Sequence, residues 1–251
     1  MNPRTRKTLF LVGAAIVGAL LLWGYAGLPD FGNYQGAYGF ELNRVAVKER
    51  KATNVVASTT FDYRGFDTLG EEFILFAAVL ATTLLLRLQR EESEQVPVDH
   101  APHREVPHDS DLVRETGAAL IAPAVLFGLY VVIHGHLTPG GGFQGGVVLA
   151  TAPMLMYLVG EYVAFRRLAP EGLIEGAEGT GGGAYTMCGL IGILAGAQFM
   201  SNVLPLGRPA QLPSAGLIPP QNLVVALAVS AGFVLLLSEF LEQTLTVRRR
   251  R

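Results

Sequence analysis

The sequence predicts an all-α integral membrane protein with six transmembrane helices, two before a polar linker and four after it, and with both termini cytoplasmic. Three observations carry that expectation. Half of the residues are hydrophobic and only 16% are charged, whereas soluble domains carry roughly 25% charged residues. No Asp, Glu, Lys or Arg occurs from Thr116 to Gly160, a stretch long enough for two helical crossings of about 20 residues each. Lys and Arg fall in clusters that alternate with the apolar runs, the pattern by which cytoplasmic loops are recognised.

The first uncharged run, 8–29, follows Arg4, Arg6 and Lys7. Its length exceeds the h-region of a signal peptide, and Trp23 and Tyr25 sit where an interfacial aromatic belt belongs, so an uncleaved helix is expected. A loop of mixed charge follows over 30–70, its basic residues offset by Asp30, Glu41, Glu49, Asp62 and Asp67. The second run, 73–86, has only 14 residues, about 21 Å of helix against a hydrocarbon core of about 30 Å. Extension back to Thr68 completes the crossing and brings Glu71 and Glu72 to the membrane boundary or below it. Asp67 and Glu71 then share a helix face as candidate ion-path carboxylates, since intramembrane acids are functional by default. The alternative is a capping box, Thr68 to Glu71, in which the acid satisfies the helix N-terminus; Glu72 points about 100° away from Glu71.

Residues 89–111 are polar, rich in Pro and acid, and read as a cytoplasmic linker between a two-helix module, 1–88, and a four-helix module, 112–251. His100, His103 and His108 are irregularly spaced and have no Cys beside them, so a solvated tract is expected rather than a metal site. The remaining runs are 116–133, 145–160, 184–204 and 222–238. With six crossings, Arg87 and Arg90, Arg166 and Arg167, and Arg248 to Arg251 join the N-terminal cluster on the cytoplasmic side.

Between the third and fourth runs lies HGHLTPGGGFQGG, residues 134–146. Pro139, Gly140, Gly141, Gly142, Phe143, Gly145 and Gly146 allow tight turns and close backbone approach. Such irregular backbone at membrane depth is tolerated only when buried in protein or lining a wet cavity, so this corner is expected to pack against another subunit. His134 and His136, two positions apart, do not share a helix face. They are read as helix-ending or interface residues, with a proton relay as the alternative. Glu161, Glu239 and Glu242 read as acids neutralised near the cytoplasmic ends, and Cys188 as a packing residue. No phosphate-binding loop, catalytic triad or cysteine quartet is present. Neither enzymatic chemistry, a cofactor, a metal nor nucleic-acid binding is expected.

Residues 112–150, LVRETGAALIAPAVLFGLYVVIHGHLTPGGGFQGGVVLA, resemble the B subunit (MnhB domain) of the Mrp-type multisubunit Na+/H+ antiporter, and the likeness continues to about Leu241. Residues 53–71, TNVVASTTFDYRGFDTLGE, resemble the C-terminal part of the large A subunit of that family, which is a separate E-like subunit in membrane-bound hydrogenases. The resemblance implies an A-tail module joined to a B subunit, inside an assembly with large antiporter-like subunits and other small membrane subunits, surrounded by lipid. Asp67 and Glu71 match the E-like motif and residues 134–146 the B motif. It also leaves open a membrane-arm role in a redox complex related to complex I, of hydrogenase or sulfur reductase type, and a purely structural role without an ion path.

Overall fold

The computed structural model describes residues 3–29, 31–32, 36–91 and 110–247, and structural statements below concern these residues. They form helices α1 (Pro3–Ala26), α2 (Ala37–Arg50), α3 (Val55–Ser58), a π-helical turn (Thr59–Tyr63), α4 (Gly65–Glu91), α5 (Asp111–Ile133), α6 (Gly142–Leu168), α7 (Glu171–Leu194) and α8 (Ile218–Val247). No strand occurs among the described residues. The chain divides into two compact units, Met1–Glu41 and Leu42–Arg251.

In the first unit, α1 has no proline after Pro3 and ends where Gly27 and Pro29 withdraw helix-forming residues. Leu9, Phe10, Leu20, Leu21, Leu22 and Trp23 are all exposed. Outward apolar side chains on a helix that satisfies its own backbone suit lipid as the solvent.

Five segments of described helix are long and apolar enough to cross a membrane: Lys7–Ala26, Gly65–Leu86, Asp111–Ile133, Gly142–Gly160 and Ile218–Leu241. The expected fifth run, 184–204, is not one helix. Helix α7 starts earlier, at Glu171, and stops at Leu194. Gly196, at φ 79°, lets its N–H reach the Ile193 carbonyl at 2.9 Å and the Ala197 N–H reach that of Gly192 at 2.9 Å, a Schellman stop. A loop follows from 195 to 217, punctuated by Pro205, Pro209 and Pro213 and by positive φ at Met200, Gly207, Ala210, Ala215 and Gly216. At 24 residues α7 is long enough to span, but with Glu171, Glu175, Glu178 and its glycines it is not among the five segments that are also apolar enough to cross.

The expected 30–70 loop is also more ordered than its composition suggests, since it contains α2, α3 and the π-helical turn. Helix α4 begins at Gly65, so Thr68 lies inside it rather than at its cap. The Thr68 hydroxyl donates to the Thr60 carbonyl at 2.8 Å, which corrects the capping-box reading: the threonine ties α4 to the π-helical turn instead. The same helix runs on to Glu91, and α5 opens at Asp111 with the Ser110 hydroxyl accepting from the Val113 N–H at 3.4 Å. His100, His103 and His108 lie outside the described residues, as do the arginines of 248–251 and the side chains of Glu161 and Glu242.

Helix α8 is the centre of the second unit. Val225, Ala226, Ala228, Val229, Ala231 and Val234 are buried on it, and α4, α6 and α7 pack around it. Helices α5 and α6 form the expected hairpin, brought close because Gly128 faces Leu149 and Gly145 faces Val132 where any larger residue would collide.

Candidate functional site

The corner between α5 and α6 is built from residues 134–141. Helix α5 ends when His134, at φ −93° and ψ 7°, leaves the helical region. Its ring stacks on Tyr130 with centroids 4.3 Å apart, and its Nδ1 lies 3.1 Å from the Tyr130 carbonyl. His136 turns the other way and is 1% exposed. Its Nε2 lies 3.1 Å from the Leu212 carbonyl, while its Nδ1 is buried without a partner among the described residues. Burial lowers the His136 pKa below the usual histidine value, against the opposing pull of backbone carbonyls at Leu212 and Gln211. Pro139 is exposed, and Gly140 and Gly141 adopt φ of 151° and 146°, a backbone that only glycine takes without strain. No group of three or more potential metal ligands occurs among the described residues.

Gly142 opens α6 against α8. A methyl group there would lie 2.6 Å from the Asn222 carbonyl oxygen and 2.7 Å from Val225 Cβ. The close approach lets the Asn222 side-chain oxygen accept the Gly142 N–H at 2.7 Å, while its amide donates to the Ile218 carbonyl at 3.0 Å. Asn222 is fully buried, so one residue of α8 caps the N-terminus of α6 from outside its own helix. At Gly146, one turn on, a methyl group would lie 2.9 Å from Val229 Cβ, and Phe143 packs half-buried against the core around Val225.

The segment before α4 docks on this corner. Asn54 caps α3 with its side-chain oxygen and donates its amide to the carbonyls of Gly135 at 2.7 Å and Thr138 at 3.0 Å. Its backbone N–H also reaches the His136 carbonyl at 3.1 Å. Further along, Asn202 of the 195–217 loop donates to Asp62 at 2.7 Å and to the Ala215 carbonyl at 3.0 Å, and accepts from the Leu217 N–H at 2.9 Å. Arg50 sits 3.4 Å from Asp62 and 4.7 Å over the Tyr63 ring. Burial raises the Asp62 pKa, and the Asn202 hydrogen bond and Arg50 charge pull it back. The Tyr63 hydroxyl donates to Glu49 at 2.6 Å, and burial with that bond pushes its pKa up to about 12.

Asp67 and Glu71 share the exposed face of α4. Asp67 is ion-paired with Arg64. Glu71 lines a cavity of about 260 Å3 together with Thr60, Thr68, Gly140, Gly141 and Gln144. The structure thus brings Glu71 to the glycine corner, whereas Asp67 does not line that cavity. Glu72, set aside by helical rotation, is the buried neighbour at 4% exposure, and it faces Glu178 of α7 across a second cavity. Glu178 was missed altogether, because a glutamate amid glycines at the start of an apolar run reads as a loop. Asn202 and Asn222 were missed too; an isolated amide in an apolar stretch was the only signal. Glu239, read as an acid neutralised near the cytoplasmic end, is buried in α8, and Cys188 is a buried free thiol as expected.

Taken together, the apolar helices and the buried, amide-capped hairpin corner define a multi-pass, all-helical membrane protein. Residues 112–235 match the family described as "Domain related to MnhB subunit of Na+/H+ antiporter", and this part of the chain belongs to that family. A chain of the membrane-bound sulfane sulfur reductase, an archaeal respiratory membrane complex, is 30% identical with a TM-score of 0.65, covering 96% of this chain and 98% of that one. A chain of the Mrp complex from Dietzia sp. is 25% identical with the same TM-score of 0.65, covering 96% of this chain and 26% of that one. A probable K+/H+ antiporter protein of Rhizobium meliloti, named for both the A and the B subunits, is 29% identical over 176 residues, 62% of this chain and 17% of its own length. The chain therefore spans nearly the whole reductase chain but only a small part of the Dietzia and Rhizobium chains.

Proposed function

We propose that this chain is a non-catalytic membrane subunit of a multisubunit monovalent cation/proton antiporter, working with large antiporter-like subunits and other small membrane subunits. The observation that carries the reading is the meeting of two motifs in one place. Glu71, from the E-like segment, and Gly140 and Gly141, from the MnhB-like corner, line the same cavity. A carboxylate beside uncovered backbone at membrane depth can hand on a proton or a cation, and in this reading Glu71 does so, with Asp67 one turn earlier on the same face as a secondary station. His134, His136, Pro139, Phe143, Gly145 and Gly146 shape the corner that supports it.

In this reading the chain resides in the cell membrane, α7 is the sixth crossing, and both termini are cytoplasmic, in agreement with all four basic clusters. Residues 1–88 act as the A-tail or E-like module, 89–111 as the linker and 112–251 as the MnhB-like domain. Na+ is the cation implied by the family description, and the K+/H+ name of the Rhizobium relative makes K+ the comparison ion. The test is cation-induced proton movement in inverted vesicles carrying the full complex. Wild-type vesicles should release their acid gradient on adding Na+, and Glu71→Gln should slow this by roughly tenfold or more, the effect of about 1.4 kcal/mol on a barrier. A fully active, fully assembled Glu71→Gln complex would reduce the corner to a structural role.

A second reading is favoured by the end-to-end match with the reductase chain: a membrane-arm component of a redox-driven ion pump. Iron–sulfur subunits co-purifying with the chain would establish it.

A further inference from the structure

We propose that Glu72 and Glu178 together form a proton-binding site inside the membrane-spanning bundle, separate from the Glu71 cavity. The proposal deepens the transport reading above and rests on it only for its physiological purpose. Three observations carry it. Glu72 is 4% exposed and Glu178 8%, so both side chains are more than nine-tenths buried. One carboxyl oxygen of each is buried with no hydrogen-bond partner among the described residues. Both carboxyls line one cavity of about 190 Å3, walled by Phe73, Leu75, Phe76, Thr186 and Ala228 and by glycines of α7.

The pairing follows from helix register. The Tyr185 hydroxyl donates to the Gly65 carbonyl at 3.0 Å. Seven residues forward from Gly65 in α4 is Glu72, and seven residues back from Tyr185 in α7 is Glu178. The two helices run in opposite directions at this contact, so each steps about 10 Å along its axis and the two carboxyls arrive at one level. Gly232 of α8 supplies the floor, with its Cβ position only 3.3 Å from a Glu178 oxygen. A larger residue there would push the carboxyl out of the cavity.

Two carboxylates packed together in such an apolar place repel each other, and a proton shared between them removes that repulsion. The ionisable groups around Glu72 are Glu71 on its own helix and Glu178 and Tyr185 on α7; Glu175 acts on Glu178. Helix α8 contributes Ala228 and Gly232, which carry no charge. No Lys or Arg appears among the described lining residues. A proton is therefore the ligand that fits. A metal cation needs a shell of several oxygens, and beyond the two carboxyls the lining offers little more than the Thr186 hydroxyl, which already donates to the Gly182 carbonyl at 3.2 Å. The pair holds one proton between two carboxyl groups and releases it as carboxylate, with room in the cavity for several waters to carry it.

The test is pH-difference infrared spectroscopy of the full chain in lipid nanodiscs, following the C=O stretch of protonated carboxylic acid. Acidification should raise such a band in the wild type, and the double variant E72Q/E178Q should lose it. E178Q alone should keep a Glu72 band whose midpoint moves to lower pH by about one unit or more, because the neighbouring charge is gone. An unchanged band in the double variant overturns the site. A Glu72 midpoint indifferent to E178Q overturns the pairing, and bleaching of the band by NaCl or KCl at fixed pH overturns the proton as ligand. Circular dichroism of each single variant checks folding, and E72Q and E178Q serve separately should the double variant fail to insert. The measurement uses neither partner subunits nor a gradient, so a chain that titrates within a complex that exchanges no cation would sink the antiporter reading alone.

Discussion

Replacing Asn222 by Ala should uncouple the α5–α6 corner from α8. In the folded protein the Asn222 oxygen holds the Gly142 N–H at 2.7 Å, and the residue is fully buried. Gly142 is the first residue of α6, where the N–H has no partner within its own helix. Leaving a buried donor unsatisfied costs about 1–3 kcal/mol, and the lost amide packing against Gly135 and Gly141 adds to it. Interhelical hydrogen bonds in membrane proteins measure below such figures, averaging about 0.6 kcal/mol, because the unfolded chain in lipid also finds partners. The expected loss therefore lies between about 0.6 and 3 kcal/mol, or roughly a 3- to 150-fold shift in the unfolding equilibrium. The assay is reversible SDS unfolding in mixed micelles, with Leu223→Ala at an exposed position of α8 as the control. A variant within about 0.5 kcal/mol of wild type, or no more affected than the control, would refute the capping role.

Other consequences are open to direct measurement. Gly142→Ala should destabilise by about 1–3 kcal/mol through overpacking, because the methyl group meets the Asn222 backbone and branched Val225; wild-type stability in the same assay would contradict the close approach. His136 has its pKa lowered by burial, so the unfolded chain binds the extra proton and stability should fall as pH drops below about 6.5, by at most about 1.4 kcal/mol per pH unit. His136→Gln should flatten that slope, and an unchanged slope would assign it elsewhere. A cysteine at Thr138 should be labelled by an impermeant reagent from outside intact cells, and one at Ser93 should not; the reverse pattern would invert the proposed orientation.

The hairpin was legible because lipid allows so few solutions: a long uncharged stretch must cross and return, and glycines mark the return. The start of the polar linker was less so, since α4 continues to Glu91. Helix α7 was misplaced for a physical reason. Its N-terminal half is rich in glycine and glutamate, which read as a loop, yet Gly181 is there so that α8 can approach within 2.7 Å of its Cβ position. The distinction between Glu71 and Glu72 could not be drawn from spacing alone. One residue of rotation separates the cavity at the corner from the cavity inside the bundle, and only the position of α7 decides which glutamate faces which. The two asparagines were invisible for a similar reason: their partners are backbone groups far away in sequence, and no side-chain pattern announces a backbone N–H in need of an acceptor.

Membership of a cation/proton antiporter assembly is tested most directly by purifying the tagged full chain in mild detergent and identifying its companions. Large antiporter-like subunits without redox proteins are the expected result. Recovery with iron–sulfur subunits would transfer the chain to a redox-driven pump, and recovery of the chain alone would contradict the assembly altogether.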